Sequence, residues 1–456
     1  MKNKIFMLKN IYEENRELIT GIVSSLFVKV GSLLVAFFTT PVYMRYFGNQ
    51  AVLGVWFTLV SIFNMFLQFD LGIGNGLRNR LTETLAEDNI EKTRGYITSS
   101  YVFVAAFILC VGSILLIAIY FLPINAVFNI SEAVISASIL KQGISICIIG
   151  LCGQCVFRLV TSMYYALQKA AVPSFLLLLS NLFLLLVALL APKAGSMEDH
   201  FIFLSVAHAI VTNIPPIVAT VWVFRHELSR FTPSLEYFDL YVGKDLLKLG
   251  LTFFLLQAAG LLITNCLELL ITTFVSPEKT VDYQVYYKIF SLPSTLFFLV
   301  LTPFWSAITK ARAEKRYTWL RNVHKLVVGM IFVVTIGAFI LVPLVPLIVK
   351  IWLQEQASQV EILTKYSLWF AFWCGANMWL HGNCTFANGL EWMQVQKTLV
   401  LPCGLLNILG AYITTRFTDS WLSILQFNIV ILLFIGTVQA SVIHKNLILL
   451  SEESKL

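Results

Sequence analysis

The sequence predicts an all-α integral membrane protein of about twelve transmembrane helices in two six-helix halves. Three observations predict it. Charged residues are only 12% of the 456-residue chain, against roughly 25% in an average soluble domain. Apolar residues make up 58%, and mean hydropathy is +0.80. Apolar runs of the roughly 20 residues needed to cross a bilayer recur along the whole chain, and runs of that length favour helices over barrel strands.

The runs place spans near 19–43, 50–76, 95–122, 139–166, 172–191, 200–224, 247–275, 284–309, 323–349, 360–386, 395–415 and 420–444. Ahead of them, "MKNKIFMLKNIYEENREL" is too polar and too long before its apolar core for a cleaved signal peptide, so 1–18 reads as a retained cytoplasmic tail. The remaining divisions are a 19–224 bundle, a 225–246 connection on the cytoplasmic side, a 247–444 bundle and a 445–456 cytoplasmic tail. Orientation follows the bias of basic residues toward the cytoplasm. With the amino terminus inside, 22 of the 32 Lys and Arg fall in cytoplasmic segments and 8 on the opposite side, while Lys29 and Arg158 lie inside spans. Both termini are expected in the cytoplasm. The loops 225–248 and 309–325 carry much of the charge and read as solvated loops obeying that rule. The net charge of +7 therefore describes membrane orientation and calls for no nucleic-acid partner.

The second expected span runs into "FDLGIGNGLRNRL" (69–81). Glycines beside arginines suggest a phosphate loop, but a dinucleotide fingerprint needs a preceding strand within a βαβ unit, and the preceding residues are an apolar helix. The chain also has no G-x-x-x-x-G-K-[ST] loop, so it encodes no ATP-hydrolysing transporter. Gly72, Gly74 and Gly76 read as helix-packing residues that allow close approach. A weak repeat sets "GVWFTLVSIF" (54–63) against "QVYYKIFSLP" (284–293) at an offset of 230, close to half the length. Each half then starts inside and has an even number of spans, which gives parallel topology about an axis along the membrane normal, as in secondary transporters with a site between the halves.

The stretches "PVYMRYFG" (41–48) and "GVWFTLVSIFNMFLQFDLGIGNGLRNRLTETLAEDN" (54–89) resemble the first two helices of the polysaccharide repeat-unit flippases. These are the O-antigen (Wzx-type) translocases of the multidrug/oligosaccharidyl-lipid/polysaccharide (MOP) exporter superfamily. The resemblance is specific over about 25–100, looser over 286–317, and elsewhere rests on span count. It implies a V-shaped, MATE-like transporter of the bacterial inner membrane. That transporter moves an undecaprenyl-pyrophosphate-linked oligosaccharide, an O-antigen or other surface polysaccharide repeat unit, to the periplasmic leaflet by alternating access. Membrane lipids, a polysaccharide polymerase and chain-length machinery are the implied partners. No cofactor, metal or covalent chemistry is expected.

Charges inside spans are costly enough to face a cavity or a partner. Lys29, Asp70, Arg158 and Glu268 are such charges. One reading pairs Lys29 or Arg158 with Asp70 or Glu268, or lets them snorkel. The other lines a cavity with Lys29, Arg78 and Arg158 to receive pyrophosphate, which arginine grips bidentately, with Lys288 as a candidate from the second half. In the lipid II flippases that the resemblance brings in, arginines of the first two helices play this part. Asp70 and Glu268 are the acids whose protonation could be linked to a transport cycle. "CGQC" (152–155) and "HGNC" (381–384) read as small interior residues and two isolated ligands, not as redox or zinc sites. The aromatic run 366–383 suits either helix packing or a sugar path. Alternative functions are a cation-coupled multidrug exporter of the same fold or a membrane enzyme of polysaccharide synthesis, against which the lack of any long external loop weighs.

Overall fold

The computed structural model describes residues 16–68, 73–169, 171–192, 194–242, 259–418 and 420–453. Among these there are helices and no strands. They form α1 (Arg16–Phe47), α2 (Gln50–Gln68), α3 (Ile73–Ala86), α4 (Ile90–Phe121), α5 (Ala137–Phe157), α6 (Leu159–Ala166), α7 (Ala171–Leu190), α8 (Met197–Val211) and α9 (Ile214–Arg225). After the intervening segment come α10 (Leu267–Phe274), α11 (Pro277–Ala313), α12 (Tyr317–Leu341), α13 (Val345–Leu353), α14 (Thr364–Leu390), α15 (Gln394–Phe417) and α16 (Leu422–Glu453). Ten stretches among the described residues are long and apolar enough to cross a membrane. Of the expected spans, the seventh lies partly outside the described residues. The tenth is α14, which at about 40 Å is long enough, although its amides, glycines and histidine dilute its apolarity.

Two compact units divide the described residues. The first holds 16–48, Phe66–Asn125 and 131–242; the second holds Asn49–Met65, Ala126–Ile130 and 259–453.

In the first unit, Ile73, Leu77 and Leu81 recur every four residues and form a buried stripe on α3, the spacing that keeps side chains on one helical face. They pack on Ile97 and Val104 of α4, on Leu159, Val160 and Met163 of α6, and on Val223 of α9. The expected span 50–76 is corrected here, because α2 stops at Gln68 and a separate α3 begins at Ile73. Asp70 and Gly72 fall between them, outside the described residues. The 225–248 loop is exposed over most of its residues as far as Val242, as a solvated loop should be, and a few contacts tie it down. Arg94 Nε donates to Thr232 O at 2.9 Å and its guanidinium lies 4.2 Å from the Tyr237 ring centre. Ser99 Oγ accepts from Asp239 N at 3.1 Å, and Phe231 is buried. This segment is strapped onto the start of α4.

The second unit centres on stacked aromatics. Tyr283, Tyr286 and Phe290 of α11 surround Phe370 of α14 at ring separations of 5.4, 5.6 and 6.0 Å, and Trp421 closes on Tyr366 at 4.6 Å. This part of the 366–383 aromatic run therefore packs helices together. A polar latch sits beside it. Lys279 Nζ donates to Glu361 Oε2 at 2.7 Å and to Asp282 Oδ2 at 3.1 Å, and Glu361 N donates to Asp282 Oδ1 at 3.0 Å.

Interruptions in the fourth, sixth and seventh expected spans each recruit side chains. Hydrocarbon offers no partners for freed main-chain groups, so these must be satisfied within the protein. Between α5 and α6 the turn at Arg158 is closed by Thr161, whose N and Oγ1 donate to Arg158 O at 2.9 and 2.8 Å. Between α8 and α9, Asn213 Nδ2 donates to Ala209 O at 2.7 Å and to Gly150 O of α5 at 2.8 Å. In the seventh span, helical residues 259–264 give way at Asn265–Cys266 to α10. There Asn407 Nδ2 donates to Leu262 O at 3.1 Å and Asn428 Nδ2 to Ile263 O at 2.7 Å.

Three predictions follow from this packing. A Cβ at Gly54 would sit 1.8 Å from Pro277 O, whereas one at Gly337 meets nothing within 4 Å. Gly54→Ala is expected to lower the melting temperature in detergent sharply and Gly337→Ala to leave it nearly unchanged; equal effects would contradict this contact. Asn428→Ala leaves a buried carbonyl short of its partner, at a cost of about 1–3 kcal/mol, and is expected to lower the melting temperature more than Ser441→Ala on the exposed side of the same helix. Third, the Lys279 hydrogen bond holds the exposed Glu361 carboxyl below its ordinary 4.5. A carboxyl depressed on folding stabilises above its unfolded pKa, and that contribution is lost as pH falls through the folded value. Stability is thus expected to decline below about pH 4.5, with a shallower decline in Glu361→Gln; identical pH profiles would remove the latch from the account.

Candidate functional site

In the first unit the fold brings two of the candidate cations to opposite ends of one short helix. Arg158 lies between α5 and α6, with right-handed helical dihedrals (φ −65°, ψ −17°). Its Nη1 donates to Leu67 O at 2.8 Å. That carbonyl belongs to the last turn of α2, where intrahelical donors run out and where the helix dipole favours a cation. Seven residues on, about 10 Å along the helix axis, Tyr165 presents its ring to Arg78, whose guanidinium lies 5.0 Å from the ring centre. Both arginines are exposed, and among the described residues neither joins an ion pair. Arg78 is held on α3 by the buried stripe one residue away, at Leu77. Gly74 and Gly76 are buried at the start of the same helix. Arg80 is turned to a different partner, Glu83, at 3.2 Å. Lys29 is exposed on α1, three residues before buried Ser32, which accepts from Asn181 of α7 at 2.7 Å.

An apolar cavity of about 210 Å³ lies next to Arg158. Phe66 of α2, Phe107, Val111 and Gly112 of α4, and Cys152 and Cys155 of α5 line it. The reading of "CGQC" as filled interior is corrected in this respect: both thiols are half-buried and border open space.

The second unit holds the other charged centre. Glu268 is buried at the start of α10, three residues beyond the seventh-span break. The side chains of Gln284 and Ser61 lie within hydrogen-bonding reach of its carboxyl, and Lys288 is the cation coupled to it. Lys288 Nζ also lies 5.8 Å from the ring centre of Phe57. Within this unit Lys288 is the cation beside Glu268, and it belongs to this interior cluster. Its proximity follows from the sharp α10–α11 turn, which sets Lys288, in the first third of α11, back beside the start of α10. Asn407 and Asn428, fully buried beside the break, were missed by charge-based reading. The signal for them was an amide within each of two apolar runs, "LLNILG" and "QFNIV". Among the described residues no cluster of three or more His, Cys, Asp or Glu has the spacing to hold a metal ion.

No protein-family model matches the chain, and no curated protein matches it. Solved structures do. The chain is similar to an inward-facing multidrug-resistance MATE transporter of the MOP superfamily, with a TM-score of 0.72, 12% identity, and coverage of 93% of this chain and 99% of that one. It is similar to the lipid II flippase MurJ in an inward closed conformation, with a TM-score of 0.69, 16% identity, and coverage of 94% and 91%. A MOP-superfamily transporter of Pyrococcus furiosus aligns with a TM-score of 0.63 at 14% identity, over 94% and 96%. At these identities the likeness speaks for architecture: the chain has the all-helical fold of the MOP-superfamily transporters.

Proposed function

We propose that the protein is a flippase for an undecaprenyl-pyrophosphate-linked oligosaccharide, the repeat unit of a surface polysaccharide such as O-antigen, which it carries by alternating access from the cytoplasmic to the periplasmic leaflet. The observation that carries this reading is the pair of exposed arginines, Arg78 and Arg158, at the two ends of α6. Arginine matches phosphate oxygens in a bidentate fork, and a pyrophosphate needs more than one such group. Lys29 extends the positive set from α1. An exporter of organic cations calls for uncompensated carboxylates, whereas the buried acid of the second unit has Lys288 as its countercharge. The fold hosts both functions, since its solved neighbours include multidrug transporters and a lipid II flippase.

In this reading the protein lies in a bacterial inner membrane with both termini in the cytoplasm, and its product feeds a polysaccharide polymerase. No covalent chemistry is needed, so it is a transporter and not an enzyme. Glu268 is assigned to coupling. Among the described residues its Oε2 has no hydrogen-bond partner, and a buried carboxylate with an open oxygen is a place where a proton can be gained and lost as the conformation changes. Gly74 and Gly76 set how closely α3 packs.

The test is a set of alanine variants scored for surface polysaccharide and for membrane insertion. Removing a charge-assisted phosphate contact costs about 1.5–3 kcal/mol, or roughly 10- to 100-fold. Arg78→Ala, Arg158→Ala and Lys29→Ala are each expected to lose polysaccharide by that order while inserting normally, with partial recovery in the Lys or Arg exchanges. Arg80→Ala, whose partner is Glu83, is expected to be mild. Normal polysaccharide from all three variants would refute the pyrophosphate reading. Loss of insertion in Arg158→Ala alone would reduce that residue to a cap of α2.

A further inference from the structure

We infer that the cavity between α2, α4 and α5 holds a segment of the hydrocarbon chain of a polyprenyl phosphate, with its phosphate on Arg158. The inference rests on the flippase reading and assigns the chain of its substrate a place in the first unit.

Four observations support it. The lining offers side chains of carbon and sulfur, from Phe66, Phe107, Val111, Gly112, Cys152 and Cys155 among others, and water needs two to four polar partners to settle in a cavity. The rim is apolar and exposed: Phe107 is 38% exposed, and the flanking Leu109, Ile114 and Ile149 are 67%, 59% and 61% exposed. In a membrane this surface meets hydrocarbon. The volume, about 210 Å³, is below the roughly 300–1,000 Å³ of a pocket for a drug-sized ligand, which suits part of one chain rather than the two tails of a phospholipid.

The fourth observation is charge. Arg158 follows Cys155 by three residues, so the two share a helical face. Its guanidinium bonds Leu67 O, the carbonyl next to lining residue Phe66. One end of an apolar lane is thereby marked by an exposed cation anchored to both of its walls. A single-chain amphiphile with an anionic head fits that arrangement. The chain would enter from the bilayer and the phosphate would meet the guanidinium without leaving the membrane boundary. The tight contact of α4 and α5 shapes the floor: a Cβ on Gly112 would lie 2.6 Å from Cys152 Sγ.

The experiment uses the full chain in membranes and a polyprenyl phosphate with a diazirine in its chain, crosslinked by light and mapped by peptide mass spectrometry. Crosslinks are expected on the α4 and α5 peptides containing Val111 and Cys155. Unlabelled polyprenyl phosphate should compete them away, and phosphatidylglycerol should not. The diazirine polyprenol lacking phosphate should crosslink there roughly tenfold less, the loss of one charge-assisted contact. Arg158→Ala should show the same drop and Arg158→Lys part of it, while Val111→Phe, which fills the lane and leaves the cation, should abolish crosslinking at correct insertion. Crosslinks spread evenly over lipid-facing helices, or equal competition by phosphatidylglycerol, would overturn the inference. Translocation of a fluorescent lipid-linked oligosaccharide, measured in parallel, separates the two claims. Localised crosslinking without translocation would refute the flippase reading and leave the groove. Translocation without localised crosslinking would do the reverse.

Discussion

The rest of the structure depends on one constraint: hydrocarbon cannot hydrogen-bond, so any main-chain group released from a helix within the membrane needs a partner from the protein. In the fourth, sixth and seventh expected spans, specific side chains answer the interruption. Thr161 serves the turn at Arg158, Asn213 the sixth span, and Asn407 with Asn428 the seventh. Each partner fixes more than a hydrogen bond. Asn213 ties α8 to α5 through Gly150 O, where a Cβ would meet Ala209 at 2.5 Å, so the same contact that satisfies the break demands a glycine. Asn428 and Asn407 join each other at 3.2 Å, which links α15 and α16 to the broken helix.

The charges divide between the units by the same logic. In the first unit the two arginines are exposed and are compensated by a helix end and a ring: Arg158 by the last turn of α2 and Arg78 by Tyr165. These are soft partners that leave most guanidinium donors available to an anion. In the second unit the acid is buried, and Lys288 is the cation near it. Removing one member of a buried pair is costly because the other is left uncompensated, so Glu268 and Lys288 stand or fall together.

Much of the architecture was legible because it follows from burial in lipid. Length and apolarity place the spans, and charged residues within them flag Arg158 and Glu268. The interruptions were harder to read. Pro215 and Pro216 announce the one in the sixth span, but "RLVTS" and "TNCLE" carry no proline or glycine, and their turns are set by tertiary partners. The end of α2 at Gln68 was masked by Gly72, Gly74 and Gly76, which hydropathy alone accepts within a span. Partner choice was the least legible feature. Lys288 lies 20 residues from Glu268, and only the turn between α10 and α11 brings them together. The aromatic run 366–383 gives no hint in sequence of which rings face Tyr286 or Trp421, because stacking depends on the neighbouring helices.

That short turn has a further consequence for coupling. Only Val275 and Ser276 separate α10 from α11, so the elements carrying Glu268 and Lys288 are closely tethered. A rearrangement that shifts whole helix groups cannot readily pull this carboxylate from its ammonium. If Glu268 takes part in a transport cycle, its charge state therefore changes by the arrival or departure of a proton at the open Oε2, or by a shift in the polar groups around it, Ser61 and Gln284. Ser61 lies on α2, whose residues 49–65 pack in this same unit, and its hydroxyl reaches Asn265 O at the break at 3.4 Å. Ser61 therefore touches both the broken helix and the acid, which joins the two features of this unit through one hydroxyl of α2.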